Sequence, residues 1–140
     1  MRLEAATARD RFAASRVARL ATITQDGRPH LVPIVFAVDG DVIYTAVDGK
    51  AKTTTSLRRL ANIGAHPQVA VLADHYTDDW TQLWWARADG SARIAAGTEA
   101  DAALDLLRGR YPVYLTEPPP GPVIAVDVAR WTGWQAQEPP

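Results

Sequence analysis

Two cations and four hydroxyls are crowded into one short stretch of this 140-residue chain, Lys50-Ala51-Lys52-Thr53-Thr54-Thr55-Ser56. They fall where the loop Asp48 to Ala51 gives way to a helix-forming run that starts at Lys52. The first turn of a helix exposes unpaired N–H groups and the positive end of its dipole. Hydroxyls add short donors and lysine adds a point charge, so the stretch has the makings of a phosphate site without a glycine-rich loop. The other reading is that Thr53 or Thr54 only caps the helix while the lysines are solvated. Residue choice favours the first. Of the 15 cations in the chain, Lys50 and Lys52 are the only lysines, in a background of arginine.

The second constellation is aromatic. All five tryptophans lie in the second half, and three of them cluster at Trp80, Trp84 and Trp85. On a strand Trp84 and Trp85 point to opposite faces. One can fill a core, and the other must meet solvent, a ligand or another subunit. Histidines are His30, His66 and His75, with no helical pair for zinc. Asp74-His75 with Asp78 and Asp79 reads as a solvated acidic loop. There is no Gly-x-Gly, no phosphate-loop motif and no Gly-x-Ser-x-Gly elbow. No side chain stands out as a catalytic acid, though His30 and Tyr44 are candidates.

The elements that must hold these residues follow from periodicity. A helix is expected over 4–16, with Ala5, Ala8, Phe12 and Ser15 on one face. Strands are expected over Val17–Thr24, Pro29–Val38 and Val42–Val47, joined by Asp26-Gly27 and Asp39-Gly40 turns with positive φ at both turn residues. Pro33 removes a ladder donor and so marks an edge or a bulge. A helix over Lys52–Asn62 puts Leu57, Leu60, Ala61 and Gly64 on one face and sends Arg58 and Arg59 outward. Val69–Ala73 is a buried strand. Gln82–Ala96 is either a hairpin at Asp89-Gly90 or one strand bent by a glycine bulge. Thr98 caps a helix running to about Arg108, and Val123–Val128 is the last strand. Six strands with helices at their connections give a mainly β fold, a small antiparallel barrel in one domain spanning 1–140, with a tail over Gln135–Pro140.

Composition bounds the function. Fifteen cations against sixteen anions leave a net charge of −1, which disfavours general nucleic-acid binding and a polybasic membrane surface. No cysteine is present, so thiol chemistry and disulfides are excluded. The longest apolar run, Leu31 to Val38, is too short to span a bilayer, and arginines interrupt the N-terminus. A soluble cytoplasmic protein is expected.

The order Arg19-Leu20-Ala21-Thr22-Ile23, Asp26-Gly27-Arg28-Pro29-His30, the Pro33 strand, Lys50-Ala51-Lys52-Thr53, Leu57-Arg58-Arg59, Asp78-Asp79-Trp80, Trp84-Trp85-Ala86-Arg87 and Gly90-x-Ala92 resembles the split β-barrel flavin and deazaflavin oxidoreductases, the pyridoxamine 5'-phosphate oxidase superfamily. The likeness covers about residues 5–132 and is nearest to the small actinobacterial branch that uses coenzyme F-420, a deazaflavin. It implies a six-stranded split barrel, a homodimer and two cofactor sites at the interface. It further implies that Lys50 and Lys52 hold the cofactor phosphate, with Thr53 as adjacent hydroxyl and Thr45 as a strand hydroxyl facing the cofactor. Val32 and Pro33 would flank the ring, and Trp80 would approach it from the other subunit. The implied activity is hydride transfer between cofactor C5 and a small organic substrate. An FMN-dependent enzyme on the same barrel and a carrier without turnover are the alternatives. The Thr-rich start Thr54-Thr55-Ser56 departs from the family pattern.

Overall fold

The structure is a computed structural model that describes residues 1–47, 54–119 and 121–136, the side chains of 54–57 excepted. Helix α1 (Ala5–Ala14) is followed by strands β1 (Ala18–Ile23), β2 (Pro29–Ile34), β3 (Ala37–Asp39) and β4 (Val42–Ala46). Helix α2 (Thr54–Ala65) leads to β5 (Gln68–His75), a single 3-10 turn (Trp80–Gln82) and β6 (Trp84–Ala95). Helices α3 (Gly97–Arg110) and α4 (Val113–Thr116) precede the last strand, β7 (Val123–Gln135).

All seven strands form one sheet in the order β2-β1-β5-β6-β7-β4-β3, and every ladder is antiparallel. The two outermost strands, β2 and β3, are consecutive in the chain. The three peptide links from Ile34 to Ala37 reach about 11 Å at most. The free edges must therefore lie close together, and the sheet rolls into a barrel split between β2 and β3.

The expected single strand over Pro29–Val38 is thus two, which makes seven strands among the described residues and not six. The break has a local cause. The Phe36 N–H donates to the Tyr111 hydroxyl at 3.2 Å, and that hydroxyl's one hydrogen is shared between the carbonyls of Phe36 at 2.9 Å and Arg16 at 3.0 Å. The Thr45 hydroxyl donates to the Val35 carbonyl at 2.8 Å. Side chains thus satisfy the backbone where the ladder stops. Pro33 sits opposite Arg19 on an edge strand, the place a strand proline is tolerated.

Other expectations are refined. The β1–β2 loop is a turn closed by Gly27 N–H to Thr24 O at 2.9 Å, with Gly27 at φ 85°. Gly40 has φ 60°, but no described non-glycine residue has positive φ, so Asp26 and Asp39 do not share it. This is the three-residue hairpin loop with a left-handed glycine in the β1–β2 case. Residues Trp84 to Ala95 form one strand, and the register shifts at Asp89/Gly90 because β7 inserts Ala129. A Cβ at Gly90 would collide with the Asp127 carbonyl, which is why glycine stands there. The last strand continues through Trp131–Trp134 to Gln135, and α3 starts on Gly97 with no side-chain cap from Thr98. Helix α4 is a single turn entered at Pro112.

The inner core is closed by α1. Only Ala8 and Phe12 of its expected face are buried; Ser15 is half-buried and Ala5 is exposed. The Phe12 ring lies 4.8 Å from Phe36 and 5.3 Å from Trp131, joining β7 to the β2–β3 break. On α2, Asn62 and Ile63 are buried, Arg59 is half-buried and Gly64 is exposed, so the helix is rotated from the expected face. Asn62 donates to the Thr22 hydroxyl at 3.1 Å, and this bond sets the rotation.

Tyr111→Phe is expected to leave the Phe36 and Arg16 backbone groups short of a partner and to cost about 1–3 kcal/mol. Urea unfolding should show a lower midpoint with an unchanged slope. A midpoint equal to the parent's would mean that water or another group replaces the hydroxyl.

Candidate functional site

Helix α3 decides which part of the barrel is left bare. Its Ala103 and Leu107, with Tyr111 and Tyr114, pack on Ala37, Tyr44, Ala46, Ala95, Val123 and Ala125, a second core outside the barrel. Val123 to Val126 are accordingly buried on both faces. Beyond Asp127, β7 loses that cover. The outer face of β2, β1, β5, the first half of β6 and the second half of β7 has no helix over it. It carries Leu31, Pro33, Tyr76 and Trp134, all exposed, with Trp85 half-buried. Two ion pairs lie across this face or along it, Arg19 with Asp74 at 3.3 Å and Arg87 with Asp89 at 3.0 Å.

Trp84 and Trp85 do face opposite ways. Trp84 packs against the inner core with the Arg11 guanidinium 5.5 Å from its ring centroid. Trp85 stands on the bare face under Arg87, 5.8 Å away. Trp131, by contrast, is only 9% exposed and donates from Nε1 to Asp41 at 3.0 Å. It belongs to the single chain's core and adds nothing to the surplus aromatic surface.

Of the expected site residues, Lys50, Lys52 and Thr53 lie outside the described residues. Val32 is half-buried against the inner core and Pro33 is exposed on the same edge strand. Among the alternate positions 29, 31 and 33 of that strand only Leu31 keeps a backbone N–H, so the edge is apolar and poor in donors. Trp80 is 68% exposed on a turn whose entry is fixed by Asp79 accepting from the Thr81 N–H at 3.1 Å. Thr45, expected as a strand hydroxyl facing the cofactor, is 1% exposed and donates its hydroxyl hydrogen to the Val35 carbonyl. Val32 and Pro33 are together; within one chain nothing places Trp80 beside them.

The two candidate acids part ways. Tyr44 donates to Glu99 at 2.8 Å from the second core, and burial first, then that carboxylate, push its phenol up to about 12. Its hydroxyl hydrogen is already given to that carboxylate inside the fold. His30 is half-buried at the rim of a cleft of about 690 Å³ between the β1–β2 hairpin and α2, near Arg28, Arg58 and Asn62. Its Nδ1 is buried without a hydrogen-bond partner. The acidic stretch is spent structurally, with Asp74 on Arg19 and Asp79 capping the turn. Among the described residues no group of three or more His, Asp or Glu is arranged to hold a metal, and no helix is long and apolar enough to cross a membrane.

One network was missed in the sequence. Arg93 on β6 bonds Glu99 at 2.6 and 2.9 Å and Asp127 at 2.7 and 3.1 Å, and Glu99 also accepts from Tyr44. It pins the first turn of α3 to β4, β6 and β7. The spacing Arg93-x5-Glu99 straddles a strand–helix junction and follows no single periodicity, so only Glu99's place in a first turn was legible.

Residues 5–135 match the family model described as pyridoxamine 5'-phosphate oxidase. The chain belongs to the pyridoxamine 5'-phosphate oxidase family. Solved structures agree on the fold. An FAD-binding protein from Mesorhizobium loti is similar at TM-score 0.71 and 20% identity, with 95% of each chain covered. The FAD-binding protein from Mycobacterium smegmatis aligns at TM-score 0.67 and 22% identity, over 98% of this chain and all (100%) of that one. A heme-binding protein from the same organism aligns at 0.78 and 20%, over 97% of this chain but 56% of that longer one. No curated protein matches.

The Arg93 network carries a pH dependence. Hydrogen bonds from Arg93, then Tyr44, lower Glu99 from 4.5 to about 2. A folded-state value below the unfolded one stabilises above the unfolded pKa, and that stabilisation is lost as pH falls through the folded pKa. Glu99→Gln should therefore be less stable than the parent at neutral pH. The gap should close between about pH 4.5 and 2 in thermal melts. A gap independent of pH would mean that the loss is one of packing alone.

Proposed function

We propose that this protein is a homodimeric oxidoreductase that binds coenzyme F-420 at the subunit interface and transfers a hydride between the deazaflavin C5 and a small organic substrate. The family match over residues 5–135 supports this reading most. The residues of the edge strand suit the ring. Val32 and Pro33 sit on an apolar, donor-poor edge beside the opening of the barrel. Lys50, Lys52 and Thr53 are assigned to the cofactor phosphate, a chemistry that needs cations and donors at a helix start.

A second copy of the chain completes the arrangement. The bare outer face leaves Leu31, Tyr76 and Trp85 in contact with water, and such a surface beside a site is characteristic of an interface. Trp80, 68% exposed and held on a capped turn, is assigned to the partner's cofactor, where it would close the ring's open side. Bound there, the deazaflavin supplies the hydride chemistry. The protein's part is to orient the ring against β2, exclude water with the partner's aromatic side chains and hold the phosphate. Of the two candidate donors, Tyr44 is committed to Glu99, and His30 keeps a ring nitrogen without a partner in the fold.

A flavin in place of the deazaflavin is the competing reading, favoured by the FAD-binding structures to which the chain is similar. A binding protein without turnover is a third, favoured by the heme-binding one. Fluorescence titration is expected to show F-420 bound at least tenfold tighter than FMN or FAD, about 1.4 kcal/mol. Equal or reversed affinities would replace the deazaflavin by a flavin. Tight binding with no reductive turnover across a panel of acceptors would favour the third reading. Sedimentation at micromolar concentration should give about twice the chain mass of 15.2 kDa. A monomer with and without cofactor would remove the interface site.

A further inference from the structure

The inner side of the sheet carries a second kind of surface where β5, β6 and β7 meet α1. One cross-strand row runs His75, Trp84, Gln135, since His75 is paired with Trp84 and Trp84 with Gln135. Directly opposed residues on neighbouring strands point to the same side, so an imidazole, an indole and an amide stand in line. Arg11 of α1 lies over the row. Its guanidinium is 5.5 Å from the Trp84 ring centroid and donates to Gln135 Oε1 at 2.7 Å. Together with Gln82 and Leu83, just before β6, these side chains line a cleft of about 410 Å³. Neither Trp80 nor Trp85 lines it. Trp84 and Trp85 face opposite ways, so the cleft lies across the sheet from the face assigned to the dimer.

This cleft gathers donors and holds no carboxylate. Asp74 and Asp79, the nearest acids in sequence, are spent on Arg19 and on Thr81. Arg11 is half-buried and makes no ion pair among the described residues. A guanidinium has five N–H donors, and the Gln135 bond uses one of Arg11's. His75 and Gln82 are exposed, and neither side chain has a hydrogen-bond partner among the described residues. All three donors are therefore open to an incoming group. A staple between α1 and β7 would need only the Gln135 bond; it does not account for the free donors around one unmatched charge. One fixed charge suits a monoanion, and the guanidinium fork suits a planar carboxylate. Half-buried Trp84 and Leu83 give an apolar wall, and the volume is that of a small-molecule site.

We propose that the cleft formed by Arg11, His75, Gln82, Leu83 and Trp84 binds a small monocarboxylate with an apolar body. The carboxylate accepts from the Arg11 guanidinium, with His75 and Gln82 donating from the rim. The apolar body lies against Trp84 and Leu83. A solvated arginine would take any anion alike; the wall beside it is what selects a carboxylate with an apolar body. Neither the deazaflavin nor the dimer enters the test of this site.

The experiment is an NMR titration of the full chain, without cofactor, that follows indole and guanidinium N–H signals. The probes are benzoate, neutral benzyl alcohol and inorganic phosphate. Benzoate is expected to shift the Trp84 indole and Arg11 Nε–H signals saturably and to leave the Trp134 indole unmoved. It should bind about tenfold tighter than the alcohol, the scale of a charge-assisted hydrogen bond, and resist displacement by an equal concentration of phosphate. Arg11→Gln should weaken benzoate about tenfold or more. Arg9→Gln removes the same charge two residues earlier on α1, where Arg9 meets Asp41 at 3.5 Å, and should change nothing. Thermal melts check that the variants are folded. His75→Ala, at an exposed position, is the second variant should Arg11→Gln not fold, with an expected loss of about threefold. Absence of saturable shifts, or shifts centred on Trp134, would overturn the proposal. So would displacement by phosphate, an affinity unmoved by Arg11→Gln or His75→Ala, or an equal loss in Arg9→Gln, which would mean a general effect of charge.

Discussion

The fold depends on one aromatic contact. Phe12 of α1 stands between Phe36 and Trp131, and those two residues lie on parts of the chain that no ladder joins directly. Phe36 occupies the break between β2 and β3; Trp131 lies on the long last strand and bonds Asp41 in the β3–β4 turn. A sheet whose two edges meet without a ladder has to be held together by something else. Here a helix ring fills the interior and Tyr111 satisfies the backbone at the split. With the split closed this way, β2 keeps a free edge, and that edge is where Val32 and Pro33 are presented.

The second constraint is the reach of α3. Fourteen residues cover the outside of β3, β4 and the first half of β7, and no helix covers the other half of the sheet. The Arg93, Glu99 and Asp127 network fixes where that cover begins. The same strand is therefore buried on both faces at Val123–Val126 and carries Arg130, Thr132 and Trp134 toward the bare face further on. Alternation along one strand thus supplies core at one end and bare surface at the other. The proposed dimer is a consequence of this unequal cover.

Much of this is legible in the sequence, and the failures have particular causes. The antiparallel barrel, its glycine turns, the edge role of Pro33 and the opposed directions of Trp84 and Trp85 follow from alternation and turn chemistry. The split at Val35–Phe36 does not, because it is made by Tyr111, 75 residues away. Trp131 resembles surplus surface until α1 is placed over it. The rotation of α2 is set by a polar bond, Asn62 to Thr22, where a hydrophobic pattern was the only guide. Thr45 and Tyr44 have hydroxyls whose types suit a site, and both are used inside the fold. Lys50, Lys52 and Thr53 rest on residue type, their helix-start setting and family likeness.

The proposed functional site is shared by two chains, with Lys52 from one and Trp80 from the other. Mixed dimers test it most directly. Lys52→Ala and Trp80→Ala chains, each tagged differently, are co-expressed, and the heterodimer is purified and titrated with F-420. In that dimer one site carries both lesions and the other carries neither. One cofactor bound per dimer with the parent's affinity is expected, although each variant homodimer binds weakly at both sites. Two equally weakened sites in the mixed dimer would contradict it, because both residues would then act within separate chains.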